Sequence, residues 1–179
     1  MLVKFESSKS FGGLQTFDCG LEPVNEFLKK GLKEHHKKNY NQTYFFLNPN
    51  NEVVAYYTLQ AFSLTREFLS DVIKTSIPRE IPVFRISLLG VQLNMQKQGI
   101  GTALIGHAVQ TTKEIQKIIG TTGLFLDSDP KAINLYLKSG FINITPIQND
   151  SETPMIYQFW IFIIPLPTPP IKKPTWFLK

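Results

Sequence analysis

The segment from Val83 to Ile119 sets the strongest constraint on how this chain can fold. An apolar run, Val83 to Leu93, reads as a long strand. It leads into the turn Gln96-Lys97-Gln98-Gly99-Ile100-Gly101, which opens an amphipathic helix over about Gly99 to Ile119. Helical spacing puts Leu104, Ala108, Ile115 and Ile119 on one face with Ile105 and Val109 beside them, and Gly120 is placed to cap the end. The next apolar segment, Leu124-Phe125-Leu126-Asp127, must then lie parallel to the first strand, because a strand-helix-strand unit crosses over right-handed. A ligand belongs at the carboxyl ends of such a strand pair.

The turn specifies the kind of ligand. The first N–H groups of a helix have no intrahelical partner, and with the helix dipole they attract anions. Backbone N–H groups from Gln98 to Thr102 are therefore expected to hold a polyanion such as a pyrophosphate. The plainer alternative is a connection in which glycine merely permits positive φ; two glycines and a flanking glutamine between strand and helix favour the anion site. On this reading Gly101→Glu would set a charge against the pyrophosphate. A second element, Asp129 to Phe141, reads as a short helix with Asp129 as N-cap, Pro130 at the first helical position and Gly140 as terminator. Tyr136 falls on its last turns, near the mouth of the same crevice. A tyrosine there is either core packing with a satisfied hydroxyl or a proton donor aimed at the ligand.

Elsewhere, Leu2 to Glu6 alternates as a strand does, and Ser7 to Gly13 is a small-residue loop. Pro23 opens a helix whose buried stripe is Val24, Phe27, Leu28, Gly31, Leu32 and His35. Tyr44 to Leu47 and Val53 to Phe62 form a hairpin around Asn48-Pro49-Asn50-Asn51. Arg66 to Ile73 reads as a short helix, Pro78 and Pro82 as brackets of a loop, and Phe141 to Thr145 and Met155 to Ile164 as closing antiparallel strands. A chain of 179 residues accommodates one domain, residues 1–164, followed by a proline-rich tail, residues 165–179, whose Trp176 and Phe177 could dock on the body or a partner.

A formal charge of +5 favours anionic partners. Five lysines lie between Lys29 and Lys38, beside His35 and His36; they either track phosphates or form the solvated face of a helix. The single cysteine, Cys19, excludes an internal disulfide and fits a reducing cytoplasm. No apolar run approaches bilayer length, so no membrane partner is expected, and no Cys/His cluster has metal-ligand spacing. His107 reads as an exposed or capping histidine rather than a base.

These motifs resemble the GNAT superfamily of N-acetyltransferases, whose signature Q/R-x-x-G-x-G/A is matched by Gln96, Gly99 and Gly101. The resemblance implies an α/β fold with a mixed, mostly antiparallel sheet of six to seven strands. Its central parallel strands, Arg85 to Leu93 and Leu124 to Asp127, would splay apart to admit the pantetheine arm of acetyl-CoA. Carried over residue by residue, it implies cofactor contacts at Leu89, Val91, Gln96, Lys97, Gln98, Gly99, Ile100, Gly101, Thr102 and Asn134. Amides near Val91 would face the thioester oxygen, and Tyr136 would protonate the departing thiolate. A narrower similarity is to the acetyltransferase toxins of bacterial toxin-antitoxin pairs, through Phe17-Asp18-Cys19-Gly20, Val54-Ala55-Tyr56-Tyr57-Thr58-Leu59 and Leu135-Tyr136-Leu137-Lys138-Ser139-Gly140-Phe141. It implies acetylation of the α-amine of aminoacyl-tRNA, a ribbon-helix-helix antitoxin, a cytoplasmic site of action, and a homodimer with Trp160 to Ile164 as a contact strand. The chain departs from the pattern at Lys97, where many relatives have glycine, at Gln92, where an acidic residue often follows the strand, and in its tail. A GNAT enzyme acting on a protein terminus, a polyamine or another small amine is the rival reading, and a module that kept the fold and lost the chemistry is a third.

Overall fold

The computed structural model describes residues 1–69, 78–144 and 152–158. Its strands are β1 (Leu2–Lys4), β2 (Gln42–Leu47), β3 (Val53–Thr65), β4 (Glu80–Val91), β5 (Gly123–Ser128), β6 (Ile142–Asn143) and β7 (Thr153–Gln158). They form one sheet in the order β1-β2-β3-β4-β5-β7-β6, antiparallel throughout except between β4 and β5. This is the mixed α/β sheet with a central parallel pair that the sequence implies.

Both faces of the sheet are covered. On one, α3 (Ile100–Gln116) buries Leu104, Ile105, Ala108 and Val109 against Ala55, Tyr57, Ile86, Leu124 and Leu126, with α4 (Ile133–Lys138) closing the far end. On the other lies a helical run in three parts: α1 (Glu22–Glu26), a π-helical turn (Phe27–Gly31) and α2 (Leu32–Lys37). The Tyr56 hydroxyl donates to Val24 O (2.6 Å) beneath it, fixing α1 on β3. A further apolar cluster on this second face gathers Leu64, Ile81, Val83, Phe125 and Ile156.

Several element ends differ from the sequence reading. Helix α3 stops at Gln116 with Lys117 as its cap, because the buried stripe runs out at Ile115; Ile118 and Ile119 point outward. Gly120 does not adopt the left-handed cap conformation, and the Gln116 side chain closes the end instead by donating to Thr121 O (2.9 Å). Asp129 does not cap α4 directly. Its carboxylate accepts from the Lys131 amide (2.8 Å) in a turn that precedes the helix, whose N-cap is Ala132. The C-terminal end is as expected: Phe141 N–H bonds Tyr136 O and Gly140 N–H bonds Leu137 O, a Schellman closure with the rings of Tyr136 and Phe141 in contact. Pro82 lies inside β4 rather than in a loop, tolerated there because parallel pairing to β5 begins only at Phe84. Of the helix expected over Arg66 to Ile73, Arg66–Leu69 is a 3-10 turn and the remainder lies outside the described residues. So do the end of the last strand with its contact segment, residues 159–164, and the tail, residues 165–179.

Candidate active site

The parallel pair stays together for only two residue pairs, Phe84↔Leu124 and Arg85↔Phe125. Beyond them β4 remains with β3 as far as Ala55↔Val91, while β5 remains with β7 as far as Ser128↔Thr153. The strands therefore part, leaving a cleft that widens toward their carboxyl ends. A β-bulge lies just past the point of separation: Leu59 pairs with Ile86 and Thr58 with Leu88, leaving Ser87 unmatched. Bulges bend the strand that carries them, which turns the end of β4 away from β5. Gln92 N–H donates to Val54 O on the β3 side (2.9 Å). Amides along a strand alternate between its two edges, so those of Val91 and Leu89 face the cleft.

The turn after β4 presents a run of free donors. The first bonded amide of α3 is that of Ala103, to Gly99 O (3.0 Å), and the N–H groups from Gln98 to Thr102 have no partner among the described residues. Lys97 (φ 59°) and Gly99 (φ 82°) both take the left-handed conformation that lets successive amides converge. No carboxylate occurs between Glu80 and Glu114. This cradle fits a diphosphate: unsatisfied amides, a helix N-terminus and an exposed lysine.

The signature residues divide the work differently from the sequence expectation. The Gln96 side chain faces the protein, donating to Val91 O (2.9 Å) and Cys19 O (3.1 Å), so it shapes the turn. Gln98 likewise donates its side-chain amide to Asn94 O (3.1 Å). A Cβ added at Gly101 would meet Leu135 Cδ2 at 3.3 Å and Val91 Cγ2 at 3.9 Å. Gly101 thus allows α3 to approach α4 and β4, and Gly101→Glu would strike those side chains first. At Gly99 an added Cβ meets nothing within 4 Å. Ile100 is buried, Thr102 half-buried, and Asn134 is exposed in the first turn of α4.

Tyr136 is buried on the α3 face of the sheet, and its hydroxyl has no hydrogen-bond partner among the described residues. Burial, with a smaller contribution from Asp129, pushes its pKa well above that of an ordinary tyrosine. His107 is not exposed. It is half-buried among Tyr44 and Tyr57, its Nδ1 lies 2.8 Å from the Tyr57 hydroxyl, and burial lowers its pKa. In the helical run, Lys30 and Lys38 pair with Glu26 and Glu34, whereas Lys29 and Lys33 have no salt-bridge partner among the described residues. These two line a groove of about 350 Å³ against the loop Gly13 to Thr16.

One feature of the cleft lies outside the sequence expectations. Arg85 Nη2 donates to the Asp127 carboxylate (2.7 Å) across the strands where backbone pairing ends. Its signal in the sequence is a lone charge within the apolar run Val83-Phe84-Arg85-Ile86. The partner, 42 residues away, becomes visible only in the fold.

A splayed parallel pair with an amide cradle after its first strand defines an acyltransferase of the GNAT class. The acetyltransferase (GNAT) domain family matches residues 24–157, and the chain belongs to it. Solved structures align across most of its length. A crystal structure of a bacterial toxin is 28% identical, covering 88% of this chain and 89% of that one, with a TM-score of 0.83. A tyrosine-to-phenylalanine mutant of KacT is 26% identical over 88% and 94%, with a TM-score of 0.74. AtaT complexed with acetyl-methionyl-tRNAfMet is 25% identical over 88% and 95%, with a TM-score of 0.73.

Proposed function

We propose that this protein transfers acetyl from acetyl-CoA to the α-amine of aminoacyl-tRNA, as a toxin that blocks translation. The observation that carries the chemistry is the cleft at β4 and β5, with unpartnered amides from Gln98 to Thr102 at its mouth. The acceptor is supported by the alignment with AtaT in complex with acetyl-methionyl-tRNAfMet, which spans nearly all of that chain. Acetyl-CoA supplies an acetyl thioester. The amides of Gln98 to Thr102 and the Lys97 ammonium neutralise its diphosphate. The cleft-facing amides of Val91 and Leu89 donate to the thioester oxygen as charge develops there. As the amine nitrogen bonds to the acetyl carbon and the carbon-sulfur bond breaks, the Tyr136 hydroxyl gives its proton to the thiolate, and water takes the proton released by nitrogen. Tyr136 holds its proton at neutral pH, which excludes it as a base; burial makes it a weaker acid, so the donor role stands on its place in the fold and not on its pKa.

Lys29 and Lys33 provide unneutralised charge for the phosphates of the nucleic acid. In this reading the toxin works in the cytoplasm as a homodimer and is held by a ribbon-helix-helix antitoxin. Support for an antitoxin comes from an AtaT mutant bound to the C-terminus of AtaR and from a KacTA–DNA complex, both similar to this chain.

The test is transfer of labelled acetyl to a bulk pool of charged tRNA, with deacylated tRNA as control. Label on charged tRNA alone is expected. Tyr136→Phe should keep its fold and cofactor affinity while transfer slows by about 10²–10⁴-fold, the usual worth of one acid-base group. Cofactor binding without transfer to charged tRNA would move the assignment to a protein terminus or small amine, and unchanged turnover in Tyr136→Phe would remove that residue from the chemistry.

A further inference from the structure

Arg85 is held at the vertex of the cleft on the face opposite α3. Its neighbour Ile86 packs under α3, so alternation sends Arg85 to the other face, where its guanidinium lies over the rings of Phe62 (5.1 Å) and Phe125 (5.8 Å). Those two rings are themselves stacked. Asp127 fixes one end of the fork. The side chain is 30% exposed, and beyond the bond to Asp127 and the sealed Nε it retains N–H donors for a ligand. Gln60, its register partner on β3, is half-buried beside it. Arg85, Asp127 and Gln60 therefore form a polar gap between the apolar cluster under the first helices and the cluster around Val83. The diphosphate cradle lies at the N-terminus of α3 and commits that face to the cofactor, which leaves the Arg85 face for the acceptor.

We propose that Arg85 selects the acceptor, donating from the vertex of the cleft to a carbonyl oxygen beside the acceptor amine. It thereby favours α-amino esters and amides over amines without that carbonyl. The inference rests on the acetyl-transfer reading above. A guanidinium already fixed by a carboxylate and two rings loses little freedom when it binds, so its remaining donors are preorganised. With Asp127 neutralised by Arg85, the gap has no spare negative charge from this pair to attract a polycation.

The experiment compares leucine methyl ester with 3-methylbutylamine, the same skeleton without the ester, at equal concentrations of free amine. Wild-type protein should prefer the ester. Arg85→Gln should reduce kcat/KM for the ester about 10- to 100-fold, the worth of one charge-assisted hydrogen bond, with the loss in KM and little change for the alkylamine. Acetyl-CoA affinity, measured alongside, should hold. Arg85→Lys, which keeps the charge and loses the fork, should fall between the two and decides the matter if Arg85→Gln does not fold. Equal losses for both amines would reduce Arg85 to a clamp between strands and overturn the proposal, as would an unchanged ester KM. NMR titration of both amines into the CoA-saturated protein separates this from the enzymatic reading. An ester preference that vanishes in the variant without wild-type turnover would uphold Arg85 and sink the catalysis, whereas equal wild-type binding of the two amines would overturn the role of Arg85.

Discussion

Two methyl groups placed two residues apart should have unequal effects, and the contrast tests whether the turn after β4 is the anion site. Gly99 adopts φ 82°, a conformation that costs an alanine about 1 kcal/mol. An added Cβ there touches no protein atom within 4 Å, so no steric cost adds to it. For a domain of this size Tm should fall by about 2–4 °C. The methyl would occupy the open side of the turn, among the unpartnered amides. Losing a single charge-assisted hydrogen bond to phosphate there, about 1.5–3 kcal/mol, weakens acetyl-CoA binding roughly 10- to 100-fold. Gly101 has no such backbone restriction, and alanine favours the helix by up to about 1 kcal/mol over glycine. Its Cβ would meet Leu135 Cδ2 at 3.3 Å, the end of a side chain that can shift by a few tenths of an ångström. Gly101→Ala should therefore change stability by less than about 1 kcal/mol and lose much less affinity than Gly99→Ala. Calorimetric titration with acetyl-CoA, together with melts of the free proteins, reads both quantities. If Gly101→Ala loses the more affinity of the two, the amides of this turn are not the diphosphate site.

Replacing Lys29 and Lys33 together by glutamine should flatten the salt dependence of KM for charged tRNA, reducing the log-log slope by up to about 2 if each contacts one phosphate; an unchanged slope would place both on a merely solvated face. Lys97→Gly removes a left-handed non-glycine residue and should raise Tm while weakening acetyl-CoA binding severalfold, more at low salt than at high. Melts and titrations at two ionic strengths check the pair. Burial holds the pKa of His107 below its unfolded value of 6.5, so the unfolded chain binds more protons at mildly acidic pH. Its contribution to stability is then complete above pH 6.5 and declines as pH falls through the folded pKa. Tyr57, kept protonated by burial, places its hydroxyl 2.8 Å from Nδ1 of the ring. The stability loss between pH 7 and 5 should shrink in His107→Gln, and an identical pH profile by thermal melting would refute this.

The parts of the fold that could be read in the sequence depend on local periodicity: the strand into β4, the turn at Gly99, the stripe along α3 and the return in β5. Element ends and side-chain partners resisted because distant groups decide them. Gln116 ends α3 by reaching Thr121, and His107 is drawn inward by tyrosines on β2 and β3, which its own helix does not announce. The first helix shows the same limit. Its expected stripe is kept, with Val24, Phe27, Leu28 and Leu32 buried and His35 half-buried against Phe27, but it passes through a π-helical turn, closed by Leu32 N–H on Phe27 O, that the spacing does not announce.

The buried residue that matters most in that first helix is polar. Asn25 accepts from the Cys19 amide (2.9 Å) and donates to Asp18 (2.8 Å), and Cys19 O in turn accepts from Gln96, whose amide also holds Val91 O. The segment Phe17-Asp18-Cys19-Gly20 and the signature glutamine, separate in the sequence, are thus one network. It connects the helix bearing Lys29 and Lys33 to the end of β4, where the Val91 amide faces the cleft. Asn25→Ala would leave the Cys19 amide and the Asp18 carboxylate without this partner, so disturbance in α1 has a hydrogen-bonded route to the position of the Val91 amide. A lone signature glutamine gives no hint of that, because its role depends on a carbonyl 77 residues away.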